Sequence, residues 1–231
     1  MNTDRLRQNL RRVRERIAAA CERANRDPSC VRLVAVTKTV TADVARALVE
    51  LGVTDIGENR VQTAVAKQEQ LAGLGVRWHM IGHLQTNKAK DALRMFDLIH
   101  SVDSAHLAEA LDKKALATDR TAHVLVQVNT SGEESKYGVA AAVAIDEVRR
   151  IADCPTVRVE GLMTMAPFVN NAEDVRPVFV RLRRIADEIR TLGMPRAEMK
   201  HLSMGMTQDY EVAVEEGATL VRIGTALFEG V

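Results

Sequence analysis

Along the chain, short runs of aliphatic and β-branched residues recur roughly every 20 to 40 positions and alternate with longer amphipathic or Ala-rich stretches. Eight runs stand out: RLVAVT, VTDIGE, RWHMIG, DLIHSV, HVLVQVN, VRVEGLMTM, MKHLSM and TLVRIG. The first holds Leu33, Val34, Ala35 and Val36 without polar alternation, the pattern of a strand covered on both faces in a parallel sheet. Between the runs the pattern becomes helical. Thr41 is placed to cap TADVARALVEL, Ser104 precedes AHLAEALDKKALA, and NAEDVRPVFVRLRRIADEIRTLG closes on Gly193. Ahead of them all, Leu6, Leu10, Val13, Ile17, Cys21 and Ala24 mark one face of an N-terminal helix.

Eight strand-plus-helix units in 231 residues, with no linker rich in Pro, Gly or Ser, predict an α/β fold. The expectation is a single (β/α)8 TIM barrel preceded by an N-terminal helix, with residues 1–231 forming one domain. An open doubly wound sheet is the alternative, weakened because the first turn, TKTVTAD, carries no Gly-rich phosphate fingerprint.

Composition changes this picture little. Apolar residues make up 46% and charged residues 27%, while aromatics at 3% leave the core to Val, Leu, Ile, Ala and Met. The net charge of +1 sets up no overall field for nucleic acid or an anionic membrane. Arg5, Arg7, Arg11, Arg12, Arg14 and Arg16 crowd the first helix, which reads as the solvated face of a packing helix rather than a partner site. Cys21, Cys30 and Cys154 fit neither a disulfide framework nor a zinc site, and the start MNTDRLRQNL lacks the apolar core of a signal peptide. A reducing cytoplasm is the expected compartment. The six histidines are scattered, with no ligand spacing that suggests a metal.

A barrel demands chemistry just past its strands, because active sites sit at that face. Lys38 follows the first run, Glu58 and Asn59 the second, His83 and Gln85 the third, Asn129 the fifth, Met163 to Met165 the sixth, Ser203 the seventh, and Gly224 with Thr225 the eighth. HLSMGMTQD offers Ser203, Gly205 and Thr207 at a helix opening, and VRIGTALF offers Gly224 and Thr225 one unit later, the place where barrels hold phosphate. Lys38, ringed by apolar strand ends, is expected to lose solvation and so favour the neutral amine that attacks carbonyls. An amine opposite a phosphate cradle suits a phosphorylated aldehyde or ketone, with pyridoxal 5′-phosphate (PLP) the leading candidate and a sugar phosphate the other. Arg222 lies two residues before Gly224 on the same face, where a guanidinium can meet a pyridine nitrogen. A buried ion pair is the alternative role for it. Lys136, in SGEESKYG, is the rival lysine at the mouth, and His201 reads as a satisfied barrel histidine.

The series AVTKTV, GENRVQ, WHMIGHLQTNK, VNTSGEESKYG, GLMTMAP, LSMGMTQDY and VRIGTALF resembles the pyridoxal-phosphate homeostasis protein family, single-domain barrels related to the N-terminal domain of alanine racemase. The resemblance spans nearly the whole chain. It implies that Lys38 carries PLP as an aldimine, that Ser203, Gly224 and Thr225 hold the phosphate, that Arg222 faces the ring nitrogen, and that Asn59, His83 and Met165 line the ring. One departure is Glu229, which stands where the family usually has Gly directly after Phe228.

Two functions fit such a site. A homeostasis protein binds, buffers and delivers PLP, with PLP-dependent apoenzymes as its partners and no turnover of amino acids. A PLP-dependent racemase is the alternative, and it needs an acid or base on each face of its substrate. Lys38 serves one face. Alanine racemase draws the other from a tyrosine on a second domain, whereas Tyr137 and Tyr210 lie in a loop and near a helix start. The expectation is therefore a monomeric PLP carrier.

Overall fold

Each apolar run becomes a strand that hydrogen-bonds to parallel neighbours and buries side chains on both sides. The computed structural model describes residues 2–133 and 137–231. The strands are β1 (Arg32–Val36), β2 (Asp55–Glu58), β3 (Arg77–Met80), β4 (Leu98–Val102), β5 (Ala122–Asn129), β6 (Val139–Ala140), β7 (Val157–Met163), β8 (Ala197–Ser203) and β9 (Leu220–Ile223). Eight of them pair in parallel and close a ring in chain order, with β9 returning to β1 through Leu33 opposite Val221 and Ala35 opposite Ile223. The barrel is the one expected. The addition is β6, a two-residue strand that pairs with β5 outside the ring. It is too short to register as an apolar run.

Two cores result. The larger lies between strands and helices, and a small one of Val34, Leu98, Leu125, Met163 and Leu220 fills the inside. Arg222 sits opposite Val34 across the β1–β9 pair, so the last strand turns a charged residue to the same inner face.

The helices follow their sequence caps. Thr41 accepts from Val44 N at the start of α2 (Ala42–Glu50), and Ser104 accepts from Leu107 N at the start of α5 (Ala105–Leu116). Gly193, at φ 58, ends α7 (Arg176–Leu192) in the left-handed conformation. That helix starts later than its apolar pattern: Ala172–Val175 is a 3₁₀ turn, because Pro177 has no N–H to continue an α-helical ladder backwards.

The N-terminal helix α1 (Thr3–Arg23) buries Leu6, Leu10, Val13, Ile17 and Cys21 as expected. Its basic face meets acid: Arg16 and Arg23 pair with Glu211 and Glu215 of α8 (Tyr210–Glu215). Buried Asn9 donates to the carbonyls of Leu227 and Glu229, which docks the last turn on α1. Glu229 makes that contact through its backbone, so glutamate fits where the family usually has glycine.

Candidate functional site

The turn after β1 is held from below. Thr37 is buried and its Oγ1 donates to Glu58 Oε1 at 2.6 Å. Lys67, from α3 (Val61–Gln70), reaches the same oxygen at 2.6 Å and donates to the Thr37 carbonyl as well. Glu58, fully buried at the end of β2, is thus neutralised by Lys67. Its pairing leaves it no role as an acid or base beside Lys38.

Lys38 follows this anchored threonine and is exposed. The desolvation expected from surrounding strand ends is therefore absent. The lysine opens instead onto a cavity of ≈ 380 Å³ that it lines with Thr39, Met206, Thr207, Asp209, Arg222, Gly224, Thr225 and the loop Ala166–Pro167–Phe168.

Arg222 forms the floor. It is buried, its Nη1 donates to Ser203 Oγ at 2.6 Å, and its Nη2 donates to the Thr164 carbonyl at 2.8 Å. Among the described residues it forms no ion pair, which removes the alternative role foreseen for it. Burial pulls its pKa down to about 10, with Asp209 opposing the shift. A guanidinium in this state gains from any electron-rich or anionic group placed in the cavity.

The wall is made by two turns laced together. Ala226 N donates to Thr207 Oγ1 at 3.4 Å, joining the turn after β8 to α9 (Thr225–Phe228) after β9. A Cβ on Gly224 would lie 3.2 Å from the Val36 carbonyl oxygen and 3.3 Å from Val36 Cβ, so glycine is what lets this turn close against β1. Gly205, at φ 92, is more constrained still: a Cβ there would meet Ala213 Cβ at 2.6 Å. Asp209 caps the turn by accepting from Met206 N at 2.6 Å.

The residues expected at the site do not all meet. Lys38, Arg222, Gly224 and Thr225 share the cavity. Met165 is half-buried and packs on the inner core beneath the mouth. Ser203 was expected in the phosphate cradle, but its hydroxyl is fully buried under Arg222 and bonded to His100 Nδ1 at 2.9 Å. As the last residue of β8 it points into the barrel, and the hydroxyl that the turn after β8 gives to the cavity wall belongs to Thr207. Asn59 and His83 line a second cavity of ≈ 590 Å³ with Arg60, Gln85 and Lys88. There His83 stacks on Tyr137 at 4.2 Å. Lys136 lies outside the described residues.

Lys67 escaped the sequence reading. In QTAVAKQEQ it resembles any surface lysine of an amphipathic helix, and only the fold brings it to Glu58. His201 is satisfied by Arg32 and Thr219, and burial followed by Arg32 lowers its pKa to about 4. Among the described residues no group of three His, Cys, Asp or Glu is placed to hold a metal ion, and no helix is long and apolar enough to cross a membrane.

An exposed amine facing a buried cation and a glycine-threonine turn is suited to a small phosphorylated carbonyl compound. The comparisons point the same way. The model of the alanine racemase N-terminal domain family matches residues 1–230. The pyridoxal phosphate homeostasis protein of Aquifex aeolicus is 45% identical over 221 residues, covering 96% of each chain. That of Pseudomonas aeruginosa is 39% identical and covers 96% of this chain and 94% of its own. PipY of Synechococcus elongatus PCC7942, solved with PLP bound, superimposes with a TM-score of 0.81 at 39% identity over 94% of this chain and 99% of its own. Alanine racemase of Clostridium difficile 630, at 15% identity and a TM-score of 0.76 over 97% of this chain and 56% of its own, shares the fold.

Proposed function

The chain belongs to the pyridoxal phosphate homeostasis protein family, and from that premise we propose that it binds PLP reversibly, buffers it and delivers it to PLP-dependent apoenzymes without turning over amino acids. The observation that carries this reading is the meeting of Lys38, Arg222, Thr207 and Gly224–Thr225 around one cavity.

Bound there, the cofactor supplies an aldehyde that an amine can take up and release. Lys38 is the amine, free of the buried Glu58–Lys67 pair that anchors the turn beneath it. Thr207, Gly224 and Thr225 would hold the phosphate in place of the trio with Ser203. Arg222, on the cavity floor, would meet the ring nitrogen, with Met165 on the inner core beneath, while Asn59 and His83 would approach from the neighbouring cavity on the β2 and β3 side.

The same residues argue against catalysis. A guanidinium beside the ring nitrogen disfavours a second positive charge there, which weakens the cofactor as an electron sink. Neither tyrosine lines the cavity: Tyr210 is buried beneath Arg16, and Tyr137 stacks on His83. Asp209 does line it, and its role there is to cap the Met206 turn. The protein therefore acts as a carrier.

Titration of the cofactor-free protein with PLP, followed by visible absorption, tests the reading. A saturable band that Lys38→Ala abolishes is the expected result. Rapid Lys38-dependent exchange of an amino acid's α-proton in heavy water would instead make the protein a racemase-like enzyme.

A further inference from the structure

Beneath Arg222 the barrel interior holds an unbroken row of polar contacts. Arg222 Nη1 meets Ser203 Oγ at 2.6 Å, Ser203 Oγ meets His100 Nδ1 at 2.9 Å, His100 Nε2 meets His79 Nδ1 at 2.9 Å, and His79 Nε2 meets Asp55 Oδ1 at 2.8 Å. His79, His100 and Ser203 are all shut off from solvent. Asp55 opens β2, at the end of the barrel opposite Lys38, and together with Arg32 it lines a separate cavity of ≈ 330 Å³.

The two ends decide where every proton sits. A guanidinium only donates, so Ser203 Oγ accepts from it, and the serine's own proton has His100 Nδ1 as its partner. His100 then carries its proton on Nε2 and gives that hydrogen bond to His79 Nδ1. His79 in turn carries its proton on Nε2 and donates to Asp55, which when ionised only accepts. The reverse order puts a bare ring nitrogen against a carboxylate at one end and leaves the serine proton without an acceptor at the other.

We propose that Arg222, Ser203, His100, His79 and Asp55 form a hydrogen-bond chain of one fixed direction, and that His100 is a positioning residue that, through Ser203, holds the Arg222 guanidinium at the floor of the Lys38 cavity. His100 must stay neutral for this. Burial lowers its pKa well below that of a free histidine, and the charge of Arg222 adds to the shift. The consequence for the cofactor rests on the function proposed above; the direction of the chain does not.

Two measurements separate these claims. Long-range proton–nitrogen NMR of the cofactor-free protein at pH 6 is expected to show His79 and His100 neutral, each with its proton on Nε2. An imidazolium at His100, or a proton on its Nδ1, overturns the chain. With PLP added, Ser203→Ala is expected to move the pH midpoint of the bound cofactor's absorption by about one unit, the scale of one lost charge-assisted hydrogen bond, and Ser203→Thr to restore it. An unchanged midpoint in Ser203→Ala overturns the positioning role. If no band forms even in the unaltered protein, the cofactor reading fails and the positioning role with it, while the tautomers still decide the chain.

Discussion

Lys67 Nζ lies 2.6 Å from Glu58 Oε1, and the pair is closed off beneath the turn that presents Lys38. Two charges taken out of water repay their desolvation only while both are present. Glu58→Gln or Lys67→Met alone should therefore destabilise the protein by about 3–5 kcal/mol, measured by urea unfolding. The double change Glu58→Leu with Lys67→Met should recover most of that loss. A single change costing under about 1 kcal/mol would show that the pair is not buried in solution.

Stability should fall as the medium becomes mildly acidic. His100 and His201 both have lowered pKa values in the folded protein, His201 to about 4, against 6.5 for a free side chain. Below pH 6.5 the unfolded chain takes up protons that the folded one refuses, so stability present at pH 7 and above is lost on acidification, by up to roughly 1.4 kcal/mol per pH unit for each group. Asp55 has the same sign and a lower range: its pKa is lowered from 3.8, so its contribution persists until the medium is more acidic still. Urea midpoints at pH 7.5 and 5 check this, and His201→Gln should flatten the slope. Equal midpoints at the two pH values would refute the burial of both rings.

The glycine-threonine turn should supply much of the affinity for PLP. Gly224→Ala places a methyl group 3.2 Å from the Val36 carbonyl oxygen, so the turn must shift by a few tenths of an ångström from β1, and the N–H groups it offers shift with it. Charge-assisted hydrogen bonds contribute roughly 1.5–3 kcal/mol each, so losing one should weaken binding about tenfold or more. Pyridoxal without its phosphate should bind more weakly still. Isothermal titration compares the three, and equal affinity for pyridoxal and PLP would place the phosphate elsewhere.

The barrel was legible because it depends on local patterns: apolar runs at even spacing, Thr41 and Ser104 as caps, Gly193 as a stop. Lys38, Arg222, Gly224 and Thr225 were legible too, since position at a strand end suffices to put them at the mouth. Ser203 was expected on the cavity wall, but as the last residue of β8 it turns its hydroxyl inward to Arg222 and His100, and Thr207, four residues on in the turn, reaches the wall instead. Lys67 and the histidine chain could not be read at all. Glu58 meets Lys67, and His79 meets His100, only after strands and helices close on one another. The exposure of Lys38 was also hidden, since it depends on how far the turn after Thr37 carries the side chain from the apolar strand ends.

The central claim is that Lys38 is the residue that takes up the cofactor. Borohydride reduction of the PLP-loaded protein, followed by proteolysis and mass mapping, tests it most directly. A single pyridoxyl adduct on Lys38 is the predicted result. An adduct on Lys67 or Lys136, with Lys38 unmodified, would contradict the account.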